Sequence, residues 1–252
     1  MKLLILNPNT TTAITQRLLR AAQEVCSPGT SICAHQVPSG SPAITTELDE
    51  LKAQVAVLDY LDRHIDLYDG VIIGCFGDPG VQLAKERYSV PVVGIAESAY
   101  HMACLTGKRF SVLSTGTRRE SRLTWDMLDR CGLRGKCQQV YPLGLDLTSI
   151  SEESLPQIRQ YAEQMLEEDE CDSVVLACAA LAGMGRPLTE AFGLPFFDGV
   201  QQAVMLLEGM LQPRYAAAIH GQAPTSLPPF DLTARFHPIR TVRYQHGQSS
   251  FL

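Results

Sequence analysis

Two stretches of the chain have the same shape: an apolar run leads to a cysteine, and small residues follow. The first is GVIIGCFGDPG at residues 70–80, and the second is VVLACAALAGMG at residues 174–185. Other landmarks recur in the same order and at nearly the same separation, and the matched pairs are Asn7 with Ser114, Cys75 with Cys178, and Pro91 with Pro195. Differences in loop length account for the small spread in separation. An internal duplication therefore restricts the chain to folds built from two similar halves.

Each half alternates short apolar segments with longer amphipathic ones. In the first half, segments of strand length cover residues 3–6, 31–37, 71–75 and 91–95, with helical patterns between them. This alternation is typical of a parallel sheet covered by helices. We therefore predict an α/β fold of two similar domains, each a four-stranded, mainly parallel sheet flanked by helices, related by pseudo-twofold symmetry. The predicted domains are residues 1–97 and 98–207.

The longest helical pattern of the first half covers residues 47–67. Its larger apolar side chains recur at helical spacing, which predicts one face packed on the sheet through Leu48, Leu51, Val55, Leu58 and Ile65. After the last helical pattern, residues 212–252 carry five prolines, and four arginines against one acid. We interpret this tail as a poorly ordered or surface-hugging extension. An arm that packs on another subunit or on the first half is the alternative.

Charge and hydropathy restrict the classes of partner. The net charge of −6 disfavours nucleic acid and anionic membranes, and 45% hydrophobic residues is ordinary for a globular protein. The N-terminal apolar run is only Leu3 to Leu6, too short for a secretion signal, and no stretch approaches the roughly 20 apolar residues of a membrane helix. We expect a soluble, cytoplasmic protein that binds a small molecule, with no nucleic-acid or membrane partner; a homo-oligomer is left open.

The cysteines and histidines show no metal-binding pattern. None of the eight cysteines forms a Cys-x-x-Cys, and the six histidines have no ligand spacing to them or to each other. We therefore expect reduced thiols and no metal site.

The two matched cysteines have a setting that suits acid–base chemistry. Cys75 and Cys178 each follow a predicted strand, and ligands bind beyond the carboxyl ends of parallel strands. We expect the start of a following helix to lower the pKa of each thiol. A single strand-end cysteine usually fills space in a core, whereas two at matching positions favour a function. If the halves face each other, one thiolate can remove a proton from carbon while the opposite thiol delivers one to the other face.

Polar turns at strand ends supply candidate binding residues. NPNTT at 7–11 and STGTR at 114–118 are dense in hydroxyls and amides, which also cap helices, and loop 38–45 could close over a substrate or select its side chain. Asp78 is interpreted as a loop orienter or the cap of the next helix, with no catalytic role. The predicted substrate contacts are Asn7, Ser41, Phe76, Gly77, Ser114, Thr115, Ala179 and Ala180.

These motifs resemble the aspartate/glutamate racemase superfamily, and within it the hydantoin and allantoin racemase branch. NPNT, GCFGDPG, STGTR and ACAALAG carry the resemblance, which covers about residues 1–210. It implies a cofactor-independent racemase, without pyridoxal phosphate or metal, in which Cys75 and Cys178 are the acid–base pair. It also implies that the last long helix returns to the first domain, so residues 208–252 are assigned there. ACAALAG departs from the usual GCAGM of the branch, which affects the expected pocket shape.

Three functions follow in order of preference. The first is racemisation at C5 of 5-substituted hydantoins or a related cyclic ureide such as allantoin. The second is racemisation of an acyclic amino acid such as aspartate or glutamate, which calls for cationic groups near the α-carboxylate, and no arginine or lysine adjoins either cysteine. The third is a non-catalytic protein of the same fold that binds a small molecule.

Overall fold

The strands form two parallel sheets of the same topology. The computed structural model describes residues 1–118, 121–145 and 149–212. The first sheet has the order β2-β1-β3-β4 and the second β6-β5-β7-β8, with every pair parallel. The strands are β1 (Lys2–Asn7), β2 (Ser31–Gln36), β3 (Gly70–Ile73), β4 (Val92–Gly94), β5 (Phe110–Ser114), β6 (Cys137–Pro142), β7 (Ser173–Ala177) and β8 (Phe196–Phe197). The predicted fold class is confirmed.

Helices connect the strands and cover the sheets. The helices are α1 (Thr12–Gln23), α2 (Glu47–His64), α3 (Val81–Arg87), α4 (Ile95–Thr106), α5 (Ser121–Arg130), α6 (Leu155–Glu168), α7 (Gly185–Phe192) and α8 (Val200–Met210). A short 3₁₀ turn, Ala179–Leu181, follows Cys178. No helix in the described residues is long and apolar enough to cross a bilayer. The predicted tail lies, from residue 213 onward, outside the described residues.

The central strands are apolar through their middle because helices cover both faces of each sheet. The side chains of Leu3 to Leu6 in β1 are fully buried, as are those of Val174 to Leu176 in β7. Helix α2 begins at a capping box, in which the Thr46 hydroxyl accepts from the Asp49 N–H at 3.1 Å and the Asp49 carboxylate accepts from the Thr46 N–H. Continuous apolar runs and local caps therefore fix the elements that position the cysteines.

The prediction for the buried face of α2 is largely wrong. Leu48, Leu51 and Val55 are more than half exposed. The helix instead packs on the sheet through a second stripe, and its buried members are Ala53, Val57 and Leu61, with Ile65 just beyond the end. The smaller side chains allow close approach, since Gly80 has the Val57 side chain 3.2 Å from where a Cβ would stand. The sequence offers two apolar stripes, and packing selects the smaller one.

The last helix of each half packs against the other half. Helix α4 follows β4 but shares a core with the second sheet, where the Tyr100 ring stacks on Phe110 at 5.8 Å. Helix α8 follows β8, and from Val200 to Leu207 it packs with Leu3 and Ile5 of the first sheet. The two halves are therefore joined by exchanged helices. The domain boundaries inferred from the sequence stay a prediction.

Candidate active site

Both matched cysteines line one cavity between the halves. Cys75 stands just after β3 and Cys178 directly after β7, at corresponding ends of the two sheets. The cavity has a volume of about 450 Å³. Its apolar lining is Ile14, Ala43, Ile44, Phe76, Leu123, Leu145, Ala177, Ala179 and Ala180. Its polar lining includes Asn9, Thr45, Ser114, Thr115, Thr117 and Thr124, with the charged pair Glu50 and Arg130. The site therefore combines two thiols, a group of hydroxyls and an apolar surface.

Most of the predicted contact residues lie at this cavity. Its lining includes Phe76, Gly77, Ser114, Thr115, Ala179 and Ala180. Asn7 and Ser41 are outside the lining. The Asn7 amide is fully buried and donates to Asn9 Oδ1 and Thr15 Oγ1, both at 2.9 Å, while the Ser41 hydroxyl donates to Asp49 at 2.6 Å. Asn7 instead supports Asn9, which does line the cavity. The role of each as a ligand stays a prediction.

Asn9 lines the cavity, and the protein holds its amide by the oxygen. Its Oδ1 accepts from the Asn7 amide and from the Thr11 backbone N–H, both at 2.9 Å. The Thr11 N–H can only donate, so this contact fixes which end of the Asn9 amide is oxygen. Within the described residues, Asn9 Nδ2 donates no hydrogen bond to the protein. Asn9 can therefore present an N–H donor to a ligand.

Neither thiol has the lowered pKa that the sequence predicts. Each cysteine is partly exposed as a residue, but its sulfur is desolvated by the surrounding protein. Burial raises the pKa of Cys75 to about 12, although a backbone hydrogen bond from Gly77 acts in the opposite direction. Burial also raises the pKa of Cys178, against hydrogen bonds from the Thr115 side chain and the Ala180 backbone. The prediction is wrong because desolvation of the thiolate outweighs the nearby backbone dipoles.

The charges around the two thiols differ in sign. Asp78 and Glu50 raise the pKa of Cys75 further, after burial as the main cause. Near Cys178 the charge is the Arg17 guanidinium, which lowers the pKa of that thiol against the larger effect of burial. Arg17 belongs to α1 of the opposite half, so no motif next to Cys178 could have indicated it. A cation therefore lies near Cys178, although no arginine or lysine adjoins either cysteine in the sequence.

Two buried carboxylates connect the cysteine loops to the exchanged helices. Asp78 accepts from the N–H groups of Ala96 at 3.0 Å and Glu97 at 2.8 Å, so it caps α4 rather than the next helix. Asp198 accepts from the N–H groups of Gly183, Val200 and Gln201 at 2.7, 3.0 and 3.2 Å. Each carboxylate thus ties the loop after a cysteine to the first turn of a helix that packs on the other half.

All eight cysteines are free thiols, as the sequence predicts. Within the described residues, no three His, Cys, Asp or Glu side chains lie close enough to hold a metal ion. The cavity therefore offers thiols, hydroxyls, an amide and an ion pair to a ligand.

Comparisons with known proteins identify the family of the chain. The model of the family described as Asp/Glu/Hydantoin racemase matches residues 3–207. The chain belongs to this family. It is 31% identical over 216 residues to the hydantoin racemase of Paenarthrobacter aurescens, covering 84% of this chain and 91% of the relative. It is 32% identical over 212 residues to that of Pseudomonas sp. strain NS671, covering 82% and 85%.

A solved structure leads to the same branch. The allantoin racemase from Klebsiella pneumoniae superposes with a TM-score of 0.80 at 32% identity, covering 84% of this chain and 87% of that one. The resemblance inferred from the motifs and the enzyme class, a racemase and hence an isomerase, are confirmed. The relatives carry two substrate names, so the substrate has to be inferred from the cavity.

Proposed function

We propose that this racemase interconverts the enantiomers of 5-substituted hydantoins by proton transfer between Cys75 and Cys178. The observation that carries the proposal is that two thiols, one from each half, line a single cavity at equivalent strand ends. Removal and return of a proton on opposite faces of one carbon needs two groups placed in this way. The names of the hydantoin and allantoin racemase relatives support a cyclic ureide as substrate.

The proton transfer follows from the chemistry of the ring. The C5 hydrogen lies next to a carbonyl, so its removal to a thiolate leaves an enolate whose negative charge is mainly on that oxygen. The opposite thiol then gives its proton to the other face of C5 and becomes the thiolate. The Asn9 N–H is a suitable donor to the developing oxyanion, because its amide is held by Asn7 and Thr11.

The surrounding charges assign different resting roles to the two thiols. The Arg17 cation favours the thiolate of Cys178, whereas Asp78 and Glu50 disfavour a thiolate at Cys75. We therefore assign Cys178 as the base and Cys75 as the acid in the resting enzyme. After one turnover the assignment is reversed, and the enzyme is then ready to act on the opposite enantiomer.

The lining of the cavity favours an apolar group at C5. Nine apolar side chains line it, including Ile44 from loop 38–45 and Leu123 from α5. Burial of apolar surface contributes roughly 25 cal/mol per Å², so an alkyl or benzyl substituent binds better here than the polar ureido group of allantoin. We rank 5-benzylhydantoin above allantoin. We also propose that the reaction needs no cofactor or metal and that the enzyme is cytoplasmic.

An aspartate- or glutamate-type racemase ranks lower. Its substrate carboxylate needs a cation inside the cavity, and the Arg130 guanidinium there is paired with Glu50 at 3.1 Å. A binding protein without activity ranks third, because matched thiols from the two halves in one cavity are not needed for binding alone.

The test is incubation of the EDTA-dialysed protein in D₂O with one enantiomer of 5-benzylhydantoin, allantoin, aspartate or glutamate. Optical rotation and the C5–H or Cα–H NMR signal are followed. We expect loss of rotation with deuterium at C5, faster for 5-benzylhydantoin, and loss of activity in Cys75→Ala. The control is Cys104→Ala, which changes a cysteine outside the cavity lining. Racemisation of only the amino acids, or full activity in Cys75→Ala, would overturn the proposal.

A further inference from the structure

An arginine from the first half holds the loop that carries Cys178. The Ala180 N–H, two residues after the cysteine, donates to Cys178 Sγ at 3.3 Å. The carbonyl of the same residue accepts from Arg17 Nη1. Arg17 Nη2 donates to the Ile150 carbonyl at 2.9 Å, so the guanidinium holds two backbone segments of the second half at once. Arg17 thus anchors the residue whose amide contacts the thiol.

An arginine from the second half does the same to the loop that carries Cys75. The backbone of Gly77, again two residues after the cysteine, lowers the pKa of the Cys75 thiol against the larger effect of burial. The Gly77 carbonyl accepts from Arg130 Nη2 at 3.4 Å, and Arg130 Nη1 donates to Glu50 at 3.1 Å. Both Glu50 and Arg130 line the cavity. The same backbone position is therefore held in both loops.

The two arginines are equivalent by topology and not by sequence. Arg17 lies in α1 and Arg130 in α5, each the helix that follows the first strand of its half. Their positions within those helices differ, because Arg17 is in the middle of α1 and Arg130 is the last residue of α5. Each side chain crosses to the cysteine loop of the opposite half. The contact between an arginine and the cysteine loop therefore occurs in both halves, although the arginine stands at a different position along its helix in each.

We propose that Arg17 and Arg130 are reciprocal positioning residues, each of which holds the cysteine loop of the opposite half in the geometry that stabilises its thiolate. The catalytic meaning rests on the proposed function, since it needs both thiols to exchange protons. Anchoring the carbonyl fixes the backbone of the residue whose N–H contacts sulfur. Because the anchors cross between the halves, each thiol is set up for reaction only while the other half is docked.

The two anchors contribute different charge. Glu50 offsets the cation of Arg130, whereas no carboxylate in the described residues lies within ion-pair distance of Arg17. Arg17 therefore adds a net positive charge beside Cys178. At Cys75 the anchor supplies mainly geometry, and it also keeps the Glu50 carboxylate paired.

The test measures the alkylation rate of each thiol by iodoacetamide between pH 7 and 10, with the modified peptides quantified by mass spectrometry. We expect Arg17→Met to slow Cys178 about tenfold, equivalent to one pKa unit, and to leave Cys75 within twofold. Arg130→Met is expected to slow Cys75 and to leave Cys178 within twofold. Matched controls are Arg20→Met in α1 and Arg134→Met after α5, because both arginines are more than half exposed.

The outcomes separate positioning from simple opening of the cavity. Opening would raise the alkylation rate of a thiol, so a fall confined to the opposite half supports the proposal. Equal change at both thiols, no change beyond the controls, or a rise overturns it. If a Met variant does not fold by circular dichroism, Arg17→Lys and Arg130→Lys replace it and should show the same crossed pattern more weakly. Alkylation needs no turnover, so the result stands apart from whether hydantoins are racemised.

Discussion

The two halves share a topology and differ in the charge that surrounds their cysteines. Two carboxylates, Asp78 and Glu50, act on Cys75 and raise the pKa of its thiol beyond the effect of burial. One guanidinium, Arg17, acts on Cys178 and opposes the effect of burial on its pKa. A reaction that passes a proton from one thiol to the other needs one of them charged and one neutral. On the proposed mechanism, the charges therefore favour the thiolate of Cys178 over that of Cys75, whereas the duplicated fold alone would leave the two thiols equivalent.

The halves also place a buried carboxylate at the same location by different routes. Gly94 in the first half is the counterpart of Asp198 in the second. Gly94 follows the two residues of β4 that pair with Val71 and Ile72 of β3, and Asp198 follows the two residues of β8 that pair with the matching positions of β7. In the first half the carboxylate comes instead from Asp78, whose Cγ lies 2.0 Å from where a Cβ on Gly94 would stand. The duplicated halves thus retain the place of the charge and not the residue that carries it.

The largest expected effect is the loss of either thiol. Cys75→Ala and Cys178→Ala should each lower racemisation by about 10²- to 10⁴-fold, the usual contribution of a positioned acid or base. If Cys178 is the resting base, deuterium exchange from one enantiomer should persist better in Cys75→Ala than in Cys178→Ala. NMR of the C5 proton in D₂O measures this difference. Equal residual exchange in the two variants would remove the proposed difference between the halves.

Moving the buried carboxylate from position 78 to position 94 tests whether stability depends on where the carboxylate lies or on which residue carries it. Gly94→Asp alone should lower the free energy of unfolding by about 3 kcal/mol or more, since its side chain enters the space of the Asp78 carboxylate. Adding Asp78→Gly should restore stability to within about 1 kcal/mol of the original protein, as an Asp at position 94 can reach the N–H groups that Asp78 now holds. Asp78 has φ 45°, which suits glycine.

The free energy of unfolding is measured in urea for the original protein, both single variants and the double variant. These four values give the coupling energy between positions 78 and 94. The matched control is Gly209→Ala, where a Cβ meets no atom within 4 Å and the change should be neutral or slightly stabilising. Additive losses in the double variant would contradict the equivalence of the two carboxylate positions.

The buried carboxylate of Asp78 also predicts how stability depends on pH. Burial raises its pKa from 3.8 to about 7, so the folded protein retains a proton that the unfolded chain releases above pH 4. The stability contributed by Asp78 is therefore present below pH 4 and is lost as the pH rises toward 7, by up to about 4 kcal/mol. Relative to Asp78→Asn, the original protein should lose stability across this window in urea unfolding. A difference between them that is constant with pH would contradict the raised pKa.

The duplication can be recognised from the sequence because its repeated features are short motifs, each contiguous along the chain. The sheet of each half, the two cysteines and the glycines and alanines beside them follow from local patterns, and the structure brings them together at one cavity. Arg17 and Arg130 could not be found in this way, because each acts on a loop that is distant along the chain. Their helices show ordinary amphipathic patterns, and nothing in the sequence marks one arginine of α1 above another.

Other differences have a local physical cause. Asn7 and Asn9 have the same side chain, so the sequence alone does not distinguish them. Asn7 ends a buried strand and its amide donates to Thr15, whereas Asn9 lines the cavity. The thiol pKa was predicted in the wrong direction because sequence motifs show backbone dipoles and do not show burial. Helix α2 offered two apolar stripes, and only packing distinguishes the one that faces the sheet.

The smallest expected effect concerns a hydroxyl that only the second half has. Thr115 makes a side-chain hydrogen bond that lowers the pKa of Cys178, and the residue after Asn7 in the first half is Pro8, which offers no donor. Thr115→Val should therefore raise the pKa of Cys178 by under one unit and slow its alkylation a few-fold, consistent with a hydrogen bond of about 1 kcal/mol. The alkylation rate of Cys75 serves as the internal reference. If Thr115→Val leaves the rate at Cys178 unchanged while Arg17→Met slows it, the charge of Arg17 alone distinguishes the two thiols.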